Sequence, residues 1–194
     1  MISKAMVFLK DQLNAHLKTK AGAASGAAQD KVVFIGGDKM NPITFESEAV
    51  SALLVNIEEE RVLRGADPYT RTSSDSSQKV YPDVRMNLYV LFVPGFERYE
   101  HNLGYLSSII GYFQNHRVLD HQNAPTLDSS IEKLVVELIT LPLSEQSRMW
   151  RALRVPYHPC ALYKVKMVVF RDEDAMPTGL ITDKDLREDQ RVSS

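Results

Sequence analysis

The segment from Val84 to Val93 limits the possible folds more than any other part of the sequence. At its start, apolar side chains alternate with polar ones, which is typical of a strand with one buried face. Toward Phe92 both sets of alternating side chains become apolar, so this end needs cover on both faces. We therefore expect a central strand, and the rest of the chain must supply neighbouring strands and helices to cover it.

Several other segments have the composition of strands. Residues 31–36 are β-branched and aromatic, and residues 52–61 begin apolar and end in charge. Residues 129–142 are apolar on both faces, and residues 160–171 alternate. The tract at 65–78, rich in serine and threonine, is predicted to be a mobile loop because it has too little apolar surface to bury.

Apolar residues repeat at spacings of three and four in two long segments, as in amphipathic helices. We predict helices at about residues 3–19 and 96–115, and a short helix at about 145–153 that is capped by Ser144. The apolar stripe of the second helix consists of Tyr99, Leu103, Leu106, Ile110 and Phe113. The predicted fold is α+β, with a mixed, mainly antiparallel sheet of four to six strands flanked by helices.

Length and composition agree with one domain followed by a tail. The chain has 194 residues, of which 44% are hydrophobic, as in globular domains. Residues 20–30 are rich in alanine and glycine and are predicted to be a flexible connection. Residues 172–194 contain seven acidic and three basic residues. We therefore predict a domain over 1–171 and an acidic, extended C-terminal tail over 172–194.

Charge and cysteine content exclude several classes of function. Lys and Arg number 23 and Asp and Glu number 25, giving a net charge of −2, so nucleic acid is not expected as a partner. Cys160 is the only cysteine and can form no internal disulfide. No apolar run reaches the roughly 20 residues of a membrane-spanning helix, and no signal-peptide core is present. We expect cytoplasmic production without direct membrane insertion.

No pattern of residues predicts catalysis, a metal or a cofactor. None of the five histidines are spaced three or four residues apart, the spacing that places two imidazoles on one helix face. Cys160 follows a proline and lacks a nucleophile motif, so we expect a small, buried, apolar side chain. Gly36 and Gly37 form the only glycine pair, and no phosphate-binding loop is present. The sequence therefore predicts no enzyme.

Charged residues at the end of the second strand are candidate contact residues. Consecutive residues on a strand point to opposite faces, so Glu58 and Glu60 should share one side and Glu59 the other. Either this is a solvated strand end, or it contacts a neighbouring subunit, with Arg61 and Arg64 supplying the opposite charge.

Lys164 and Lys166 lie on one face of the last predicted strand and have two open interpretations. Lysines protect an edge strand against pairing with other chains. Alternatively, the two lysines meet acidic residues of a partner protein or of the next subunit. The sequence alone does not separate these interpretations.

Six blocks of sequence, taken in order, carry a resemblance to a known family. They are residues 9–14, 54–61, 87–92, 111–114, 131–138 and 162–167. As a set they resemble the tail-terminator, or cap, proteins of contractile injection systems, the phage-tail-like devices built from a sheath and an inner tube. The resemblance covers about residues 1–171.

The resemblance implies a structural protein without enzymatic activity. It implies a homo-hexameric ring at the distal end of the inner tube, which ends polymerisation and locks the sheath, so tube protein and sheath protein are the expected partners. It also implies cytoplasmic assembly into a particle that is extracellular or membrane-anchored. Two alternatives remain open: a tube-adaptor or baseplate ring component of the same apparatus, and a small hydrolase with an unrecognised site.

Overall fold

The computed structural model describes residues 1–21, 29–40, 42–60, 70–73, 76–79 and 85–169. The tail predicted at 172–194 lies outside these residues, as does most of the predicted connection, at 22–28. The chain divides into two units. The larger unit consists of Met1–Arg61 and Asp83–Phe170, and the smaller unit contains the chain between these two stretches.

Helices and strands follow one another along the described chain in the order α1 (Ile2–Ala21), β1 (Val32–Phe34), β2 (Val50–Glu59), β3 (Thr70–Ser73), β4 (Ser76–Lys79), β5 (Arg85–Pro94), α2 (Tyr99–Asn115), β6 (Val118–Asp120), β7 (Ile131–Ile139), α3 (Leu143–Leu153) and β8 (Ala161–Val169). In the smaller unit, β3 and β4 pair antiparallel. The loop predicted at 65–78 is therefore wrong for these residues. Threonine favours strands, and pairing of residues close in sequence costs little chain entropy.

The larger unit contains one mixed sheet, in the strand order β1-β2-β5-β8-β7-β6. β1 runs parallel to β2, and the other neighbouring strands are antiparallel. This confirms the predicted α+β class and the central position of β5. β8 is also an interior strand, with β5 on one side and β7 on the other. The interpretation of Lys164 and Lys166 as protection of an edge strand is therefore wrong.

α1 and α2 cover one face of the sheet and form the main core with it. Leu13 of α1 and Ile109 of α2 are fully buried in this core. The ring of Phe92 in β5 lies 6.1 Å from that of Phe113 and 6.0 Å from that of Tyr163, between centroids. The predicted central strand therefore receives its cover from both long helices.

The buried side of α2 is rotated relative to the predicted stripe. The buried residues of α2 are Asn102, Leu106, Ser108, Ile109, Tyr112 and Phe113. Tyr99 is 61% exposed and Leu103 is 43% exposed, although both belong to the predicted stripe. The cause is α1, since the Tyr112 hydroxyl donates a hydrogen bond to Gln12 at 3.0 Å and the buried arc turns toward that helix. Spacing within one helix does not contain this information.

α3 covers part of the opposite face of the sheet. Its Trp150 is buried against Leu91 of β5 and Leu162 of β8. The helix begins directly after Pro142, which occupies the N-cap position, so the prediction of Ser144 as the cap is wrong. Proline suits a helix start because it brings no N–H group that needs a partner.

Asn14 joins α1 to the edge strand β1. Its side-chain oxygen accepts hydrogen bonds from the backbone N–H groups of Lys31 at 2.9 Å and Val32 at 2.8 Å, and its amide donates to the Val32 carbonyl at 2.9 Å. Asn14 is 3% exposed. A side chain of the helix thus pairs the backbone of β1 where the sheet offers no further strand.

We expect Asn14→Ala to lower the free energy of unfolding by about 3 kcal/mol, because it removes the partner of buried backbone groups. Asp11→Ala, at an exposed position of the same helix, should change it by less than about 0.5 kcal/mol. Urea unfolding followed by circular dichroism measures both variants. Similar values for the two would contradict the structural role of Asn14.

Candidate assembly interface

Charged and polar residues cover the half of the sheet that α3 leaves open. The strand register places Glu58 opposite Asn87, Asn87 opposite Lys166, Tyr89 opposite Lys164, and Lys164 opposite Glu137. Residues directly opposite one another on antiparallel strands share a face of the sheet. We call this surface the charged sheet face, and it consists of Glu58, Asn87, Tyr89, Glu137, Lys164 and Lys166.

Two hydrogen bonds fix the charges of this face. The Tyr89 hydroxyl donates to Glu58 Oε2 at 2.7 Å, and this bond raises the pKa of Tyr89. Lys166 Nζ donates to Glu137 Oε1 at 2.8 Å, which raises the pKa of Lys166, with a smaller contribution from the charge of Glu60. Both groups therefore keep their protons at neutral pH.

Lys164 differs from Lys166 in its partners. Its ammonium lies 6.0 Å from the centroid of the Tyr89 ring. Within the part of the chain that the structure describes, Lys164 forms no ion pair, because Glu137 is bonded to Lys166 instead. A half-buried cation on an interior strand, without an acidic partner of its own, is suited to meet a carboxylate of another molecule.

The structure brings together four of the residues predicted from the sequence. Glu58, Lys164 and Lys166 lie on the charged sheet face, and Glu60 is close enough for its charge to raise the pKa of Lys166. Glu59 points to the other face, opposite Met86. Arg61 and Arg64 lie outside the described residues.

Asn87, Tyr89 and Glu137 are members of the face that the sequence did not identify. Each lies on the same side of the sheet as Glu58 and Lys166, but only the register between strands shows what lies beside it. Asn87 is 4% exposed, and its side-chain oxygen has no hydrogen-bond partner among the residues that the structure describes. Such an oxygen is costly to bury unless another group donates to it.

The other side chains considered for catalysis or metal binding have structural roles. Cys160 packs beside α3, and burial raises the pKa of its thiol, which is the opposite of what an activated nucleophile needs. His116 ends α2, where its backbone N–H donates to the Tyr112 carbonyl at 3.0 Å. Among the described residues, no three His, Cys, Asp or Glu side chains are grouped closely enough to hold a metal ion. No helix in these residues is long and apolar enough to span a bilayer.

Comparison with known proteins relates the chain to one family. The model of the Pvc16 N-terminal domain matches residues 6–183. Among solved structures, the PVC sheath/tube terminator of an extracellular contractile injection system, in its extended state, has a TM-score of 0.54 and 15% identity, covering 97% of this chain and 65% of that one. This likeness confirms the predicted fold. This chain therefore spans about two thirds of the length of that terminator.

A second solved structure, the tube-terminating cap of the anti-feeding prophage, has a TM-score of 0.48 and 13% identity, over 70% of this chain and 48% of that one. The search of curated proteins found no match.

Charge reversal tests whether the charged sheet face contacts another subunit. We expect Glu58→Lys combined with Glu60→Lys to leave the fold intact and to lower self-assembly by about tenfold, because like charges would then meet across the contact. Glu145→Lys, at an exposed position of α3 outside the charged sheet face, is the control. Light scattering across a salt series measures assembly. Wild-type yield and salt sensitivity in the double variant would show that these residues form a solvated strand end and no subunit contact.

Proposed function

Because the chain belongs to the Pvc16 N-terminal domain family, we propose that it is a tail terminator, a structural cap at the distal end of a contractile injection system. It forms a hexameric ring on the inner tube and sheath, ends polymerisation and stabilises the sheath. Its partners are other copies of this chain, the tube protein and the sheath protein. The particle assembles in the cytoplasm and then acts outside the cell or from a membrane anchor.

The family match carries this proposal. The matched residues, 6–183, include all of the sheet and nearly all of the three helices described above. The fold likeness to a sheath/tube terminator supports the same role. A structural role also agrees with the site, since the charged sheet face is a broad surface of fixed charges rather than a cleft with an activated nucleophile.

The physical task of a terminator explains why a distributed surface suits it. A tube grows because each ring offers the next ring the same surface, and growth stops when a ring binds that surface without repeating it. Such a ring needs contacts around its whole circumference. We propose that Glu58, Glu60, Arg61, Arg64, Lys164 and Lys166 belong to these contacts, and that Glu59 contributes from the other side of β2.

Deletion of the gene tests the proposed function directly. We expect tubes and sheaths of uncontrolled or unstable length, because an uncapped end keeps adding subunits or loses them. Electron microscopy of particles from the deletion strain gives the length distribution, and complementation with the wild-type gene is the control. Particles of normal length and stability in the deletion strain would remove the terminator proposal.

We further propose that the acidic tail, 172–194, becomes ordered only in the assembled particle. A segment with a net charge of −4 and few apolar residues cannot fold alone, but it can lie along a partner. A variant that ends at Asp172 should therefore keep the thermal unfolding midpoint of the full chain and bind sheath or tube less tightly. Equal binding by the two proteins would show that the tail is a passive extension.

A further inference from the structure

An apolar groove lies at the β1 edge of the sheet, between α1 and the first two strands. It has a volume of about 350 Å³, and its lining includes Val7, Phe34 and Met40. These three side chains are 40%, 37% and 46% exposed. Apolar side chains that gather around one depression are typical of a binding surface, whereas single exposed ones are not. We call this surface the β1 groove.

A second apolar surface lies at the opposite edge of the sheet, where α2 passes over the end of β7. Leu138 is 48% exposed there, because β6 pairs with β7 only as far as Val135. A pocket of about 270 Å³ lies beside it and is lined in part by Ile110 and Arg117. Leu103 lies two helical turns before Ile110 on the same flank of α2. We call this surface the β7 flank.

Each surface carries one exposed charged side chain that has no ion-pair partner among the described residues, and these two charges are opposite. Arg117 lines the pocket of the β7 flank. Asp38 stands two residues before Met40, in the short helix Gly37–Lys39 at the β1 groove. Neither side chain forms an ion pair within the described ranges, whereas Lys39 at the β1 groove pairs with Glu46, and Glu137 at the β7 flank pairs with Lys166. An apolar centre with a charge beside it is the usual composition of a protein interface.

The positions of the two surfaces match what a ring requires. In a ring of more than two identical subunits, each copy contributes two different surfaces, and one surface of a copy binds the other surface of its neighbour. The β1 groove and the β7 flank differ in composition and lie at opposite edges of one sheet. Their charged side chains without an ion pair among the described residues, Asp38 and Arg117, have opposite sign. A dimer with twofold symmetry would instead use one surface twice.

We propose that the β7 flank of one copy packs into the β1 groove of the next copy, with Arg117 facing Asp38, and that this contact closes the ring. The proposal rests on the proposed ring-forming function and adds to it the residues of the contact between subunits. Leu138 and Ile110 fill the groove beside Phe34 and Met40.

Cysteine cross-linking of assembled rings tests which surfaces meet. The variant carries Met40→Cys and Leu138→Cys, with Cys160→Ala to remove the native thiol, and copper phenanthroline is the oxidant. We expect a ladder of disulfide-linked multimers that ends at the ring, because each copy then links to both neighbours. Phe34→Cys with Leu138→Cys provides a second pair. Rings in which neither pair cross-links would overturn the contact.

The single variants distinguish the two kinds of symmetry. Met40→Cys alone and Leu138→Cys alone should give no cross-linked species, because two like positions never meet in the proposed ring. Efficient dimer formation by either single variant would show a twofold contact and would overturn the proposal.

Exchanging the two charges tests whether Arg117 of one copy faces Asp38 of the next copy. Asp38→Arg and Arg117→Glu should each lower ring yield by about tenfold, and the two substitutions together should restore it. Leu138→Asp should also prevent assembly, whereas Leu143→Asp is the matched control, since Leu143 is 78% exposed on α3 and belongs to neither surface. Rings from Leu138→Asp at wild-type yield would overturn the contact.

The contact and the proposed function fail in different experiments. If rings cross-link as expected but particles without this protein keep their normal length, the terminator role is wrong and the contact stands. If length control is lost without the protein but neither cysteine pair cross-links, the terminator role stands and the contact is wrong.

Discussion

β5 and β8 lie side by side in the middle of the sheet, and the rest of the structure depends on their pairing. One face of both strands packs against α1 and α2 along its length. The other face is divided. At the end with Leu91 and Leu162 it is covered by α3, and at the end with Asn87 and Lys166 it carries the polar residues of the charged sheet face. The same pair of strands therefore provides the centre of the core and the charged sheet face.

The dependence of the fold on contacts between segments explains which parts of it the sequence predicts. Segments whose side chains repeat with a clear period were found, including β5 with its increasing apolar content and α1 with its stripe. Contacts between segments could not be predicted in this way. The rotation of α2 depends on α1, the interior position of β8 depends on β7, and the start of α3 depends on Pro142 rather than Ser144. Each of these needs the tertiary arrangement, which periodicity does not contain.

The candidate interface follows the same rule. Because side chains alternate along a strand, Glu58 and Glu59 point to opposite faces of the sheet, and the sequence alone indicates this. Their hydrogen-bond partners could not be predicted. The hydrogen bond from Tyr89 to Glu58 joins residues 31 positions apart, and that from Lys166 to Glu137 joins residues 29 positions apart. The two exposed apolar surfaces were also not predictable, since Leu103 and Ile110 were assigned to the core from spacing alone.

Locating and counting this protein in assembled particles tests the central claim most directly. Cryo-electron microscopy of intact particles, with an antibody fragment against an epitope tag on this chain, shows both its position and its stoichiometry. A terminator predicts a single ring of six copies at the end away from the baseplate, in contact with tube and sheath. Copies at the baseplate, or repeated along the tube, would contradict the account and would favour an adaptor or baseplate component.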